Sequence, residues 1–376
     1  MLAAEADWRK QVPDGNGGFN QGDWPLDGMF AGPFDPETRA TRKLNENGRG
    51  WYGYKWGRNP TACVGAIVID RRDGSIYIGG NNQSNLPNGG LPDFEPWVIA
   101  MDRTGAKKWW VRLYPESKGV STPDQYVDGM AIDYSVPLDR AQGCLVVLAR
   151  CHGNNVNNLW NGDSIQKGSG KSFQKQFTGT NGNAHYGWIG RMTETDGTML
   201  AATYVGERNE GQNGGSPFRN PLLSHWPDYS GWPSLNTTRV HSIAIDELGR
   251  AVVTATGRRV VTSRNAFQSM PSPLADPGKF GTWSDFVRVY ATDLSDLSYS
   301  SILNGQWDWS EEKNKNNSKV ELVDAIPVKG GVIVVGKAPA NKDGSVSGND
   351  MPTRNVPDWG SATHTAPAGV FAFLHF

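Results

Sequence analysis

Short runs in which apolar residues alternate with polar ones, or follow one another without interruption, recur along the chain between clusters of turn residues. The clearest set extends from Cys63 to Tyr114 and reads CVGAIVID, RRDG, SIYIGG, a long polar stretch, PWVIAMD, RTGA and KKWWVRLY. Runs rich in Val, Ile, Trp and Tyr, bounded by Gly, Asp and Asn, predict an antiparallel four-stranded meander. One such sheet cannot cover both of its faces, so it needs neighbours of its own kind.

The pattern supplies them. VDGMAID, CLVVLARC, YGWIGRM and TMLAATYVG form a second copy from Val127 to Gly206, and VHSIAID, RAVVTATG, DFVRVYATD and LSYSSILNG a third from Val240 to Gly305. The last copy gives LVDAIPV, GVIVVGKA and GVFAFLHF and ends at Phe376 one strand short. The N-terminal run around Trp8 and Val12 resembles KKWWVRLY and is the candidate for the missing strand. Closing a ring of sheets in this way ties the chain ends together and removes an open interface. The sequence therefore predicts an all-β fold, a single-domain β-propeller of four four-stranded blades. These span approximately 63–114, 127–206, 240–305 and 322–376, with residues 7–12 closing the last.

The predicted connections are unequal. Turns between third and fourth strands are short, and those between first and second strands are short in three copies and moderate in the second copy. Those after the second strand (81–96, 152–185, 258–284, 338–367) and between blades (13–62, 115–126, 207–239, 306–319) are long. In an up-and-down meander both long classes emerge on one face. Loops of that length cost closure entropy and are uncommon without a role, so this is the predicted functional face. Trp51, Trp56, Trp160, Trp226, Trp232, Trp307, Trp309 and Trp359 all fall in these loops. Aromatic rings among Asn and Gly suit the apolar faces of sugar rings, and they equally suit a small core within the loops themselves.

Aligning VGAIVID, VDGMAID, VHSIAID and VDAIPV puts Gly65, Asp128, His241 and Asp324 at one position near the start of each innermost strand. Asp128, His241 and Asp324 would then converge on the axis. There they could hold a divalent cation, calcium first, serve as a base with its orienting partner, or form a hydrogen-bonded polar plug. His152 and His185 flank one long insertion, close in sequence to Arg150 and Tyr186. With His241 they make a candidate acid–base set for chemistry beside a sugar carboxylate. Ordinary loop-pinning hydrogen bonds are the competing reading.

Of the three cysteines, Cys63 and Cys151 both fall toward the loop face, where a bridge between them is geometrically allowed. Cys144 and Cys151 lie in one strand, about 23 Å apart when extended, and cannot pair.

Composition narrows the function classes. A formal charge of −1 with no run of basic residues argues against nucleic acid as a partner. No stretch approaches the roughly 18 apolar residues that span a bilayer. The 46 Gly and 23 Pro in 376 residues fit a turn-rich all-β chain. The opening MLAAEA has the small residues of a secretory cleavage site without a basic or apolar region before it, so export with the signal peptide removed is the expectation.

GAIVIDRRDGSIYIGG and PWVIAMDRTGAKKWW, and next to them SIAIDELGRAVVTATG, resemble the SBBP type of bacterial β-propeller repeat. The resemblance covers the repeats and none of the long loops. It implies a bacterial protein that is secreted, periplasmic or on the cell surface, raises five or more blades as the alternative count, and implies no reaction. Two functions follow as expectations. One is a propeller whose loop face binds a polysaccharide or a protein partner. The other is a polysaccharide lyase or hydrolase with its site on that face.

Overall fold

The computed structural model describes residues 62–84, 93–113, 125–135, 143–152, 172–174, 185–206, 238–257, 260, 262–263, 265–267, 284–303, 321–338 and 368–376, with the backbone of four short N-terminal strands. At 62–64, 82–84, 93–95, 152, 185, 284, 321, 337–338 and 368–370 only the backbone is described. The N-terminal strands are β1 (Leu2–Glu5) paired with β2 (Met29–Gly32), and β3 (Phe34–Asp35) paired with β4 (Ala40–Thr41).

Four meander sheets follow, all antiparallel. The first joins β5 (Ala62–Ile69), β6 (Ile76–Ser84), β7 (Asp93–Met101) and β8 (Lys107–Arg112). The second joins β9 (Gln125–Ile132), β10 (Leu145–His152), β11 (His185–Met192) and β12 (Met199–Val205). The third joins β13 (Thr238–Ile245), β14 (Ala251–Gly257), β15 (Ser284–Tyr290) and β16 (Leu297–Ile302). The fourth joins β17 (Glu321–Val328), β18 (Gly331–Ala338) and β19 (Ala368–His375). Among the described residues there is no helix. The first strands of successive sheets are neighbours, β5 beside β9, β9 beside β13 and β13 beside β17, while β1 and β2 lie against β5. Residues 7–12, the predicted closing strand, lie outside the described residues.

Three apolar layers hold the sheets together. Tyr77, Val98, Trp109, Val127, Val147 and Trp188 fill the layer between the first and second sheets. Val146, Ile189, Val253, Phe286 and Tyr290 fill the next, and Val252, Val287, Tyr299, Val334 and Leu374 the last. Each large side chain removed from water contributes about 1.5–3 kcal/mol, so these layers dominate the stability. The outer face of the fourth sheet is apolar and open at Ile326, Phe371 and Phe373, with Phe371 75% exposed, whereas on the first sheet Ile67 and Ile69 are exposed but Ile78, Trp97 and Ile99 of the same face are buried.

The repeated Ile-Asp ending now has a physical reason. The carboxylate of each Asp turns back to cap the hairpin that follows, as Asp246 Oδ1 does in accepting from Leu248 N at 2.9 Å and Arg250 N at 2.8 Å. The turn closes through Gly249, whose φ of 77° is cheap only for glycine and whose Cβ would lie 2.6 Å from the Asp133 carboxylate of the previous sheet.

The same end of the molecule carries the clamps between sheets. Trp109 Nε1 donates to the Glu194 carbonyl at 2.9 Å, Arg72 Nη2 reaches Cys144 Sγ at 3.1 Å, and the Arg250 guanidinium lies 5.0 Å from the Phe376 ring.

Candidate functional site

The opposite, long-loop end is built on a backbone irregularity that each sheet repeats. Near its start every first strand carries one extra residue that pairs with nothing on the second strand: Gly65, Asp128, His241 and Val323. Such a bulge re-aims the side chain of the inserted residue. One pair further along from the pair next to each bulge, the second-strand residue is Asn81, Arg150, Thr256 or Lys337, so these four residues occupy equivalent places.

Asp324 is not at the equivalent position. The fourth sheet pairs Leu322 with Gly336 and Asp324 with Val335, which leaves Val323 as the inserted residue. Its first hairpin closes from Val328 to Gly331, so matching Val-Asp to Val-Asp by sequence slips the register by one. Asp324 stands exposed, its Oδ1 accepting from Ala325 N at 2.8 Å. The trio Asp128, His241 and Asp324 is therefore not gathered at one level. Among the described residues no group of three or more His, Cys, Asp or Glu is arranged to hold a metal ion.

Between the second and third sheets Arg150 Nη2 lies 3.2 Å from Asp128 Oδ1 and its guanidinium carbon 5.0 Å from the Tyr126 ring centroid. Burial pushes the Asp128 carboxyl up to about 6, and the charge of Arg150 offsets this only in part. Among the described residues Asp128 Oδ2 has no hydrogen-bond partner, and neither has the buried Thr238 Oγ1 in the same layer.

On the other side of the third sheet, His241 Nε2 and Thr256 Oγ1 are 2.6 Å apart, and the Thr256 hydroxyl donates to Asp285 Oδ1. A hydroxyl has one proton, and here the carboxylate takes it. His241 must then donate from Nε2, which leaves Nδ1 as the basic nitrogen of the neutral ring. His241 and Asp285 are themselves 3.9 Å apart, so Thr256 is the bridge between them.

Between the first and second sheets stand Asn81 and Gln125, both buried, with Asn81 Nδ2 and Gln125 Nε2 unpartnered among the described residues.

The other sequence candidates separate. Tyr186 is fully buried, edge-on to Tyr204 at 5.4 Å, and burial raises its hydroxyl well above the usual phenol range. It pairs with Cys151 in the layer facing the first sheet, whereas Arg150 points to the opposite layer, so the two do not act on one substrate atom. The reason is the two-residue period of β10: adjacent residues take opposite faces. His152 and His185 are cross-strand partners at the tops of β10 and β11, with side chains outside the described residues. Trp51, Trp56, Trp160, Trp226, Trp232, Trp307, Trp309 and Trp359 also lie outside them. Cys144 and Cys151 are buried free thiols, so Cys151 forms no bridge to Cys63.

Asn81, Gln125, Thr238, Thr256 and Asp285 belong to this end of the sheets and carry no sequence motif. Their one readable signal is a polar residue at the loop-side end of an otherwise apolar strand, as in YIGGN, VVTATG and SDFVRVY.

No protein-family model matches the chain, and no curated protein matches it. Among solved structures it is similar to an N-acetylgalactosamine deacetylase from F. plautii in complex with blood group B trisaccharide, at 9% identity and a TM-score of 0.30, covering 92% of this chain and 79% of that one. It is also similar to a glycoside hydrolase, at 10% identity and a TM-score of 0.23, covering 82% and 87%. Likeness at this level assigns neither an activity nor a ligand to the chain.

Proposed function

We propose that the long-loop end of the sheets is a carbohydrate-binding face. The observation that carries this reading is the set Asn81 Nδ2, Gln125 Nε2, Asp128 Oδ2 and Thr238 Oγ1, polar atoms without partners at the same end of successive sheets. Leaving such a group unsatisfied costs about 1–3 kcal/mol, and a sugar, whose hydroxyls both donate and accept, can satisfy donors and acceptors together. The expected aromatic platforms of the loops would add the apolar half of the contact. A ring of sheets fits this face. The open apolar flank of the fourth sheet, with the β1–β2 ribbon against β5, supports closure by the N-terminal segment. The repeat pattern supports export from a bacterial cell.

The test is retardation in native gels cast with a panel of neutral, amino-sugar and acidic polysaccharides. Wild type should be retarded by at least one of them, and Asn81→Ala with Gln125→Ala should weaken that binding about tenfold. Retardation by none, or an unchanged double variant, overturns the reading.

The hydrogen-bonded line from His241 through Thr256 to Asp285 favours a second reading, a polysaccharide lyase or hydrolase with His241 as base. Release of reducing ends or of unsaturated uronate by wild type, lost in His241→Ala, would establish it.

A further inference from the structure

Arg288 sits in the middle of β15, 0% exposed, in the layer between the second and third sheets and away from the loop-end groups. Phe286 and Tyr290 flank it along the strand, and Val253 and Ser300 lie opposite it on β14 and β16. Its guanidinium carbon is 4.8 Å from the Phe286 ring centroid, and Nη1 makes a long contact of 3.4 Å to the Tyr290 hydroxyl. Nε and Nη2 have no partner, and no ion pair to Arg288 exists among the described residues. A guanidinium does not shed its proton at any physiological pH, so burial cannot be relieved by neutralisation. An aromatic face offsets only part of the desolvation of a full charge.

The two unpartnered nitrogens are adjacent. Nε–H and Nη2–H project side by side from one edge of the guanidinium, a fork whose spacing matches two oxygens of one oxyanion. The chain uses that fork elsewhere: Asp70 clasps the same edge of Arg72, with Nε 3.0 Å from each carboxylate oxygen and Nη2 2.6 Å from one. At Arg288 no side chain among the described residues plays the part of Asp70. Tyr290 accepts from Nη1 and so keeps its own proton to donate. Burial holds that phenol protonated.

We propose that Arg288 binds an oxyanion, a carboxylate or a tetrahedral phosphate or sulfate, buried between the second and third sheets. The inference is independent of the carbohydrate reading of the loop face. The test uses the full chain dialysed into chloride buffer, with melting followed as phosphate, sulfate or acetate replaces chloride at constant ionic strength. Wild type should show a saturable rise in melting temperature with at least one oxyanion, because a ligand bound only by the native state stabilises it. Arg288→Met should show none. Arg288→Lys keeps the charge without the fork and should need about tenfold more anion for half the effect. A response to phosphate or sulfate alone identifies the inorganic ion, and a response to acetate identifies a carboxylate source.

Acid denaturation followed by ion chromatography should also release one oxyanion per wild-type chain and none from the Lys variant, a readout that holds if the Met variant fails to fold. Wild type that melts identically in chloride and in every oxyanion and releases no oxyanion overturns the proposal. So does a Lys variant indistinguishable from wild type in both measurements.

Discussion

Arg191 and Asp133 meet at 2.6 Å with side chains 4% and 0% exposed, and the Arg191 guanidinium also donates to the Gly249 carbonyl of the next sheet at 2.6 Å. One buried cation thus closes the end of its own sheet and holds the turn of its neighbour. Removing the carboxylate leaves that cation unpaired in a dry site. Asp133→Ala is therefore expected to destabilise by about 3–5 kcal/mol, read from urea denaturation. A loss under about 1 kcal/mol would show that the pair does not join the sheets.

Gly65 packs so closely on β9 that a Cβ there would lie 1.6 Å from the Val127 carbonyl oxygen. Backbone cannot step aside as a side chain can. Gly65→Ala should lower the melting temperature sharply or abolish soluble expression, at a cost of about 3 kcal/mol or more. Gly129→Ala is the control, since its added methyl would meet side chains alone, Ile243 at 3.1 Å and Leu148 at 3.7 Å, and should cost far less.

Asp128 gives a signed pH effect. Its carboxyl is raised from 3.8 to about 6 in the fold, so between those values the native state binds more protons than the unfolded one. Its contribution to stability is present below pH 4, is lost as pH rises through 6, and is absent above. The loss is on the order of 2–3 kcal/mol. Asp128→Asn should flatten this part of the profile and be more stable than wild type at pH 7. Parallel curves for the two proteins from pH 4 to 7 would refute the assignment.

Thr256→Val keeps the shape of the side chain and deletes the hydroxyl between His241 and Asp285, which at 3.9 Å do not bond directly. The buried Asp285 then loses a donor, and the expected cost is about 1–3 kcal/mol. Thr256→Ser should recover most of it. Equal stability of the Val and Ser variants would mean that the bridge contributes nothing.

Strands and turns were legible because alternation and Asp-Gly chemistry are local. VGAIVID cannot satisfy its backbone and bury Ala66 and Val68 except as a strand, and Asp70 makes its own turn. That the long connections leave one end of the sheets was legible from loop lengths alone. What stayed hidden depends on pairing between strands. The inserted residue in the fourth sheet is fixed by hydrogen bonds to β18, so Val-Asp in LVDAIPV misled the alignment toward Asp324. Thr256 and Asp285, far apart in sequence, meet only once β14 and β15 are in register. Arg288 reads as an exposed alternate position of DFVRVY, and nothing local reveals that its face is covered by a second sheet.

The clamps made by Trp109, Arg72, Arg191 and Arg250 all lie at the short-turn rim, and the unpartnered atoms of Asn81, Gln125, Asp128 and Thr238 lie at the other. Mechanically the sheets resemble the leaves of a fan riveted at the base. Small rotations about the rivets leave the base unchanged and open or narrow the spaces between the free tips. The spacing of the unpartnered polar groups is thus set by how far the leaves spread. A guest lodged at the tips would stiffen the whole array without touching a rivet.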